Sequence, residues 1–431
     1  MKSKDTYMEN KIYCCIDLKS FYASVECVER GLDPFKVNLV VADPERSKGT
    51  VCLAISPAMK ALGVKNRCRV YEIPKSVDYI IAKPRMKLYM EKSAEIYSVY
   101  LRYISPEDIH VYSIDEVFID LTDYVKLYKK SAKALAKLLI DQVFKATGIR
   151  ATVGIGTNLF LAKIALDITA KHADDFMGYL DQAEFKKTVW HHRPITDVWN
   201  VGHGIAARLE NMGIFDLYGV SKCPEDILYR ELGINAELLI DHSNGIEPFT
   251  IADIHAYKSK SSSLSNGQVL FSDYDFNDAL IVVKEMVEQL VLELVEKRLV
   301  SDSISLYVSF AERNKKSAGG TVKLPEFTSS VKKILKYFTE YYYKKVPLNA
   351  VIRRIDVGLN NLVDEAFTTA DLLTDVKSIR KERVLQHAVV DIKNKYGKNA
   401  ILMGTSFQDR ATGRERNRLI GGHNGGEDDK A

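Results

Sequence analysis

The sequence of 431 residues contains no long apolar run. No stretch approaches the ~18 consecutive apolar residues that a membrane-spanning helix needs. The first ten residues, MKSKDTYMEN, also lack the apolar centre of a secretion signal. We therefore expect a cytoplasmic protein that makes no use of a membrane.

The sequence also lacks cysteines at the regular spacing of a metal site or redox motif. The six cysteines show no CxxC spacing, and four of them fall in segments predicted to be strands or helices. This pattern is typical of reduced thiols buried as small hydrophobic residues in a cytosolic protein. The residues are Cys14, Cys15, Cys27, Cys52, Cys68 and Cys223.

A strong net charge is the third absence. The formal charge is +4 and the isoelectric point is near 8.4. These values permit nucleic-acid binding without indicating it, so any basic footprint must be local. The hydrophobic content of 46% is ordinary, and the length leaves room for roughly two to four domains.

What the sequence does contain is an acidic pair between two short apolar runs, in the segment HVYSIDEVFIDL. The runs His110–Ser113 and Val117–Leu121 are rich in strand-forming residues and flank Asp115–Glu116. Successive residues of a straight strand point to opposite faces, so adjacent carboxylates share a site only at a turn or strand end. A third acid, Asp17, ends the apolar run Lys11–Ile16. Clustered carboxylates repel, which indicates a divalent cation between them; for an isolated pair the alternative is a solvated turn.

Three segments together resemble the Y-family, or translesion, DNA polymerases, in particular their UmuC-like bacterial branch. They are IDLKSFYASVE at 16–26, YSIDEVFIDL at 112–121 and VGIGTNLFLAKIALDITAK at 153–171. The resemblance runs from about Ile12 to Leu359. It implies an error-prone DNA-directed DNA polymerase that adds deoxynucleotides to a primer 3′ end opposite damaged template, in DNA repair or an SOS-type damage response.

The resemblance also implies the catalytic residues and the cofactor. Asp17, Asp115 and Glu116 would be catalytic and, with the Leu18 carbonyl, would hold two Mg²⁺ ions. Phosphoryl transfer of this kind depends mainly on positioning and electrostatics. Nothing in the sequence resembles a second acidic cluster for a proofreading exonuclease.

Five residues concern the incoming nucleotide. Phe21 and Tyr22 could be core aromatics, but in the family the aromatic at the Tyr22 position lies under the sugar and excludes a 2′-hydroxyl. Relatives hold the triphosphate with a tyrosine and an arginine that align with Pro57 and Lys60. Lysine keeps the charge but not the two-pronged geometry of arginine, and proline offers no side-chain donor. Lys171 matches a family lysine near the triphosphate.

The expected fold class is α+β and multidomain: a polymerase right hand of palm, fingers and thumb, plus a split-βαβ little-finger domain. The predicted boundaries are 1–36 and 83–175 for the palm, 37–82 for the fingers, 176–247 for a helical thumb with a helix-hairpin-helix, 248–360 for the little finger, and 361–431 for a partly disordered C-terminal tail.

DNA contacts are predicted in the thumb and the little finger. The glycines of VGHGI allow backbone amides to approach a DNA phosphate, although a plain structural hairpin has the same pattern. A serine-rich stretch over 254–272 contains no acidic residue, which is also typical of a linker. The candidate DNA-binding residues are Gly202, Gly204, Lys258, Lys260, Arg353 and Arg354.

The expected partners are a primed DNA template, deoxynucleoside triphosphates and, through the tail, the sliding clamp. Related tails carry a glutamine–hydrophobic peptide for the clamp, but the equivalent near Thr369–Leu373 lacks the glutamine and the aromatic. The last residues, GGHNGGEDDKA, are expected to be disordered.

Two other functions share part of this pattern. A different palm-type nucleotidyl transferase, such as a nucleotide cyclase, would use the same carboxylates but needs no DNA grip. A catalytically idle DNA-binding scaffold of a damage response would need the grip but not all three acids.

Overall fold

The computed structural model describes residues 11–43, 45, 49–259, 262–312, 314–369 and 376–426. The chain divides into two compact units, one up to Tyr257 and one from Lys258. Both units combine helices with β-sheet, so the predicted α+β multidomain class is confirmed. No helix in the described ranges is long and apolar enough to cross a membrane.

The first unit contains eight strands and twelve helices within its described residues. In chain order the strands are β1 (Tyr13–Leu18), β2 (Leu39–Val41), β3 (Ala54–Ile55), β4 (Ile80–Ala82), β5 (Ile109–Val111), β6 (Glu116–Asp120), β7 (Ala151–Gly156) and β8 (Met177–Leu180). The helices are α1 (Phe21–Glu29), α2 (Pro57–Ala61), α3 (Met86–Tyr100), α4 (Thr122–Leu127), α5 (Ala132–Thr147), α6 (Leu159–Ile164), α7 (Gln182–Thr188), α8 (His203–Asn211), α9 (Leu217–Lys222), α10 (Glu225–Leu232), α11 (Asn235–Ser243) and α12 (Ile251–Ala256).

A five-stranded sheet in the order β5-β6-β1-β7-β8 forms the centre of this unit. The buried strand β1 runs antiparallel to both β6 and β7, and its register sets Asp17 opposite Glu116. On one face, apolar side chains such as Ile16 join the core formed with α3 and α5. The sheet extends past the boundary predicted at residue 175, because Met177–Leu180 pairs with β7. A strand this short has little pattern of its own in the sequence and forms because it pairs with β7. The boundary at residue 175 was therefore wrong.

Two glycines of β7 allow α6 to lie directly on the sheet. A side chain at Gly154 would collide with the backbone of Ala162 and Leu166, and one at Gly156 would collide with the backbone at Leu161. Close helix–strand packing therefore accounts for the glycines of the GIG segment. The packing also fixes the side chains of α6 over the face of β1 that carries Asp17.

In sequence, the fingers lie between β1 and β5 of the central sheet, and the thumb follows β8. The fingers contain a small sheet in the order β3-β2-β4, and α2 begins at Pro57 after Ser56, whose hydroxyl accepts a hydrogen bond from the Met59 amide. In the thumb, α7 to α11 surround an apolar core. The element before the VGHGI hairpin is a single 3₁₀ turn, Ile195–Asp197, and the helix after it begins next to Gly202.

The second unit contains the predicted split-βαβ arrangement. Its strands are β9 (Ser263–Tyr274), β10 (Leu299–Phe310), β11 (Ala318–Thr328), β12 (Ile352–Asn360), β13 (Val363–Asp364), β14 (Leu419–Ile420) and β15 (His423–Asn424). Its helices are α13 (Phe276–Glu296), α14 (Val331–Lys345), α15 (Val376–Tyr396) and α16 (Gly413–Arg416). The main sheet has the order β11-β10-β12-β9, and α13 and α14 cover its apolar face.

The structure moves both ends of the predicted little finger. Helix α12 belongs to the first unit, because Ile251 packs with Tyr13 and Phe118; the second unit starts at Lys258 and not at residue 248. At the other end, the described part of the tail joins the second unit, and Val390 of α15 lies in its core. Residues 421–424 form the two-residue turn and the second strand of the β14–β15 hairpin, so the expectation of disorder was wrong there.

All six cysteines are free thiols. Five are buried, and Cys223 is partly exposed.

Candidate active site

The central sheet brings the three predicted acids together. Asp17 is the next-to-last residue of β1 and lies opposite Glu116, the first residue of β6. Asp115 lies in the turn before β6, where its carbonyl accepts a hydrogen bond of 2.9 Å from the Leu18 amide and its carboxylate accepts one of 2.8 Å from the Ser113 hydroxyl. The turn and the strand end therefore meet at one edge of the sheet.

Asp17 shows that these carboxylates interact. Burial, with the added charges of Asp115 and Glu116, raises the pKa of Asp17 to about 7, while Lys171 and Lys163 act in the opposite direction. A carboxyl group with this pKa is poorly solvated and surrounded by like charge. Perturbation of this kind is typical of functional sites.

A buried lysine that the sequence reasoning did not assign lies beside the acids. The Lys163 ammonium is 2.7 Å from Glu116 Oε1 and 3.0 Å from Asp167 Oδ2, and the other oxygen of Asp167 is 2.8 Å from the Lys171 ammonium. Lys163 is only 8% exposed. Asp167 lies in a π-helical turn, Ala165–Thr169, that continues α6. The available signal was the spacing of four residues between each lysine and Asp167 in an apolar segment.

The donor set suits a hard divalent cation in its chemistry. Carboxylate and carbonyl oxygens are the ligands that Mg²⁺ prefers, and a cation would relieve the repulsion that acts on Asp17. Within the described ranges, however, no group of three or more His, Cys, Asp or Glu residues is arranged to hold a metal ion. One reason is that Glu116 is already engaged: its Oε1 accepts hydrogen bonds from Lys163 and the Cys15 thiol.

The two aromatic candidates at the start of α1, Phe21 and Tyr22, differ in their burial. Phe21 is 2% exposed and its ring lies in the hydrophobic core, so a nucleotide contact at Phe21 would have to come from its backbone. Tyr22 is half-buried and stacks on Tyr89 at 4.6 Å between ring centroids. Burial raises the pKa of Tyr22, and the nearby charge of Asp115 adds to the effect. Tyr22 therefore borders the acidic site.

Three lysines surround the acids on the fingers side. Desolvation lowers the pKa of Lys60, and Lys171 adds to this, whereas Asp17 and Asp115 act against it. Lys19 responds in the same way: burial lowers its pKa, and Lys60 and Lys171 contribute. The sequence reasoning missed Lys19. Its position directly after β1, two residues from Asp17, was the signal. Pro57 offers no donor at the first turn of α2.

The thumb glycines lie on an open surface. Gly202 caps the N-terminus of α8, and a side chain at Gly202 or Gly204 would meet no atom within 4 Å. The chain's own packing therefore does not require glycine at either position. A remaining reason for glycine at these positions is that it lets another molecule approach the backbone closely.

Three second-unit candidates lie within the described residues; they are exposed but differ in their partners. Lys258 is exposed at the first position of the unit, whereas Lys260 lies outside the described residues. On β12, Arg354 donates two hydrogen bonds, of 2.8 and 2.7 Å, to Asp356, and Arg353 lies 3.5 Å from Asp273. Each arginine would have to exchange a carboxylate for a phosphate to grip DNA.

Comparison with known proteins agrees with this geometry. Residues 16–167 match the impB/mucB/samB family, and residues 261–372 match the C-terminal domain of the same family. A protein of Bacillus subtilis (strain 168) named for UV-damage repair, UvrX, is 31% identical over 420 residues, which cover 95% of this chain and 96% of that protein. DNA polymerase IV 2 of the same organism is 29% identical over 426 residues, covering 96% and 99%.

A solved structure has the same fold. It is a Y-family DNA polymerase chimera that superposes with a TM-score of 0.63 at 21% sequence identity, covering 82% of this chain and 99% of the chimera. Family, relatives and fold agree with one another. The chain belongs to the impB/mucB/samB family of Y-family, translesion DNA polymerases and is a DNA-directed DNA polymerase.

Proposed function

We propose that this polymerase extends primers opposite damaged template in an SOS-type damage response, by phosphoryl transfer that depends on two Mg²⁺ ions. The observation that carries the proposal is the meeting of Asp17, Asp115 and Glu116 at one edge of the central sheet. The similarity to a relative named for UV-damage repair supports the damage-response part.

Asp17, Asp115, Glu116 and the Leu18 carbonyl would hold the ions, which would supply Lewis-acid chemistry: a lower pKa for the primer 3′-hydroxyl and neutralised charge on the pyrophosphate. The rest of the contribution of the chain is positioning. Lys163 holds Glu116 toward the sheet, and the ion pairs of Asp167 keep both lysines of that segment in place. Preorganised charge of this kind costs no rearrangement during the reaction.

The triphosphate would lie among Lys19, Lys60 and Lys171. The charges of Lys60 and Lys171 lower the pKa of Lys19, and Lys171 also lowers the pKa values of Lys60 and Asp17, which supports a shared site. Together they replace the charge that relatives draw from an arginine. The ring of Tyr22, fixed by Tyr89, would form the floor under the sugar.

Primed DNA would be gripped through phosphates. In the thumb the contacts would be the amides at Gly202 and Gly204; in the second unit they would be Arg353, Arg354 and the lysines Lys258 and Lys260. The modest net charge of +4 means that such local contacts must supply the affinity.

The sliding clamp, bound through the tail, is the partner with the least support. Thr369 is engaged within the fold, because its hydroxyl accepts a hydrogen bond from the Phe327 amide at 2.7 Å. The other four residues of the candidate peptide, 370–373, lie outside the described residues.

Primer extension past defined lesions tests the proposal. The wild-type chain should extend a primer through a lesion in Mg²⁺, with and without the clamp compared in parallel. Binding of primed DNA without extension on undamaged template would instead favour the idle scaffold.

A further inference from the structure

A cavity of about 290 Å³ lies in the second unit, between α13 and the described part of the tail. The docking of the tail creates it. Glu285 of α13 accepts hydrogen bonds of 2.9 Å from the amides of Thr412 and Gly413, both through Oε2. The carboxylate thereby anchors the start of α16 on α13. Neither the polymerase site nor the predicted DNA contacts include this region.

The second oxygen of the same carboxylate is left without a partner. Glu285 is 3% exposed and lines the cavity, and its Oε1 has no hydrogen-bond partner among the described residues. An unsatisfied buried acceptor costs about 1–3 kcal/mol, and more when it is charged. An occupant that donates a hydrogen bond to Oε1 would remove this cost.

Four acids and four bases line the cavity, and Glu293 pairs with Lys297 at 3.3 Å. Among the rest are two acids and two bases that do not pair with each other. Glu288 lies one turn after Glu285 on α13, while Lys393 of α15 and Arg416 of α16 bring the positive charges. No ion pair among the described residues joins these acids to these bases. Arg416 instead donates hydrogen bonds to Gln289 and Gln268, at 3.3 and 3.0 Å.

Burial affects three of these groups. It raises the pKa of Glu288 and lowers the pKa values of Lys393 and Arg416. The acids lie on one helix and the bases on two other elements. The cavity therefore presents a negative wall and a positive wall, each partly withdrawn from water.

The charges of the two walls balance, which bears on the occupant. A lone cation or a lone anion would leave one buried charge uncompensated, which is costly away from water. A molecule with both charges satisfies both walls. The remaining lining includes the aliphatic side chains Leu292, Val390 and Leu402, and the volume accommodates roughly ten heavy atoms.

We propose that this cavity binds a small zwitterion of the α-amino-acid class with an aliphatic side chain. The ammonium group lies on the α13 wall and donates to Glu285 Oε1, and the carboxylate faces Lys393 and Arg416. The side chain fills the aliphatic part of the cavity. Because Arg416 also contacts Gln268 of β9, the bound molecule stabilises the docked tail against the main sheet.

Matched ligands test the proposal on the full chain, by calorimetry and by the shift in melting temperature. The probes are leucine, methionine and norvaline, with 3-methylbutylamine and 4-methylpentanoate, which are leucine without its carboxylate and without its ammonium. At least one amino acid should bind at least tenfold more tightly than the amine and the acid and should raise the melting temperature. Equal binding of leucine, 3-methylbutylamine and 4-methylpentanoate overturns the proposal. So does no binding of any amino acid in an assay that detects a Kd of about 1 mM.

Two variants locate the site. Glu288→Gln and Lys393→Met should each weaken amino-acid binding at least tenfold, because each removes one partly buried charge that faces the ligand. Glu340→Gln and Lys336→Met, on the exposed surface of α14, are the controls and should leave affinity unchanged. Full affinity in both cavity variants would overturn the assignment. Primer extension should be the same in all four variants, which separates this site from the polymerase site.

Discussion

The ammonium nitrogen of Lys163 lies 2.7 Å from Oε1 of Glu116, and both side chains are almost fully withdrawn from solvent. The contact joins α6 to the first residue of β6 across the face of the sheet that carries Asp17. A buried ion pair of this kind fixes geometry more than it adds stability. We therefore treat Lys163 as a positioning residue for Glu116.

Replacing Lys163 separates positioning from folding. Lys163→Met should lower the free energy of unfolding by about 3–5 kcal/mol, because it leaves Glu116 buried without its partner. The double variant Lys163→Met/Glu116→Gln should regain most of this stability and remain inactive. Denaturant unfolding and primer extension measured on the same samples check both parts. No recovery in the double variant would contradict the pairing.

The catalytic acids should be required for chemistry and not for DNA binding. Asp115→Asn or Glu116→Gln should abolish nucleotide addition and leave the affinity for primed DNA nearly unchanged, since the lost charge matters mainly in the transition state. Asp123→Asn, an exposed acid at the start of α4, is the matched control. Extension by either active-site variant at a tenth of the wild-type rate would refute the assignment.

Metal removal should reveal the repulsion among the acids. In EDTA, Asp17→Asn should raise the melting temperature, because one of three crowded carboxylates loses its charge. Added Mg²⁺ should raise the melting temperature of the wild type more than that of the variant, since binding to the folded state stabilises it. Thermal unfolding in EDTA and in Mg²⁺ gives both numbers. Equal Mg²⁺ shifts for the two proteins would exclude Asp17 as a ligand.

Tyr22 should control the choice of sugar. Tyr22→Ala removes the ring that would block a 2′-hydroxyl, so ribonucleotide incorporation should rise strongly while deoxynucleotide incorporation falls moderately. Tyr22→Phe keeps the ring and should keep most of the discrimination. If the ring served only to pack on Tyr89, the alanine variant would lose ~3–5 kcal/mol of stability and activity with both sugars together. The ribo/deoxy ratio and the melting temperature distinguish these results.

The second unit should fold alone only with its tail. A fragment of residues 258–426 should unfold cooperatively and bind DNA weakly, with affinity falling by about 0.9 log units per log unit of salt for each phosphate contact. A fragment of 258–360 should be less stable, because it loses the packing of Val390 and the anchor on Glu285. Equal stability of the two fragments, or binding independent of salt, would contradict this.

The acids could be predicted because local patterns carry them. A strand end and a turn between two apolar runs place Asp17, Asp115 and Glu116, and the motifs of the family add their roles. Lys163 could not be assigned, because its partner Glu116 lies far away in the sequence and only the sheet brings them together. The same limit affected Phe21, since adjacent helical residues face different directions and the pattern does not show which faces the core.

Domain boundaries failed for a related reason. The strand Met177–Leu180 and the helix at Ile251 are short, and their assignment depends on the surface that they pack against rather than on propensity. Long elements such as α13 and β10 carry a clearer signal, because periodicity accumulates over their length.

The docked tail matters for any exchange of parts between relatives. The match to the C-terminal family domain ends at residue 372, yet Gln386 of α15 donates a hydrogen bond to the Ser329 carbonyl, and Arg410 donates one to Asp278. In a hybrid enzyme joined at the edge of the family match, α13 would lose the tail residues that cover it. Part of its surface would then be exposed to solvent. A graft of the second unit therefore has to take residues 376–426 with it.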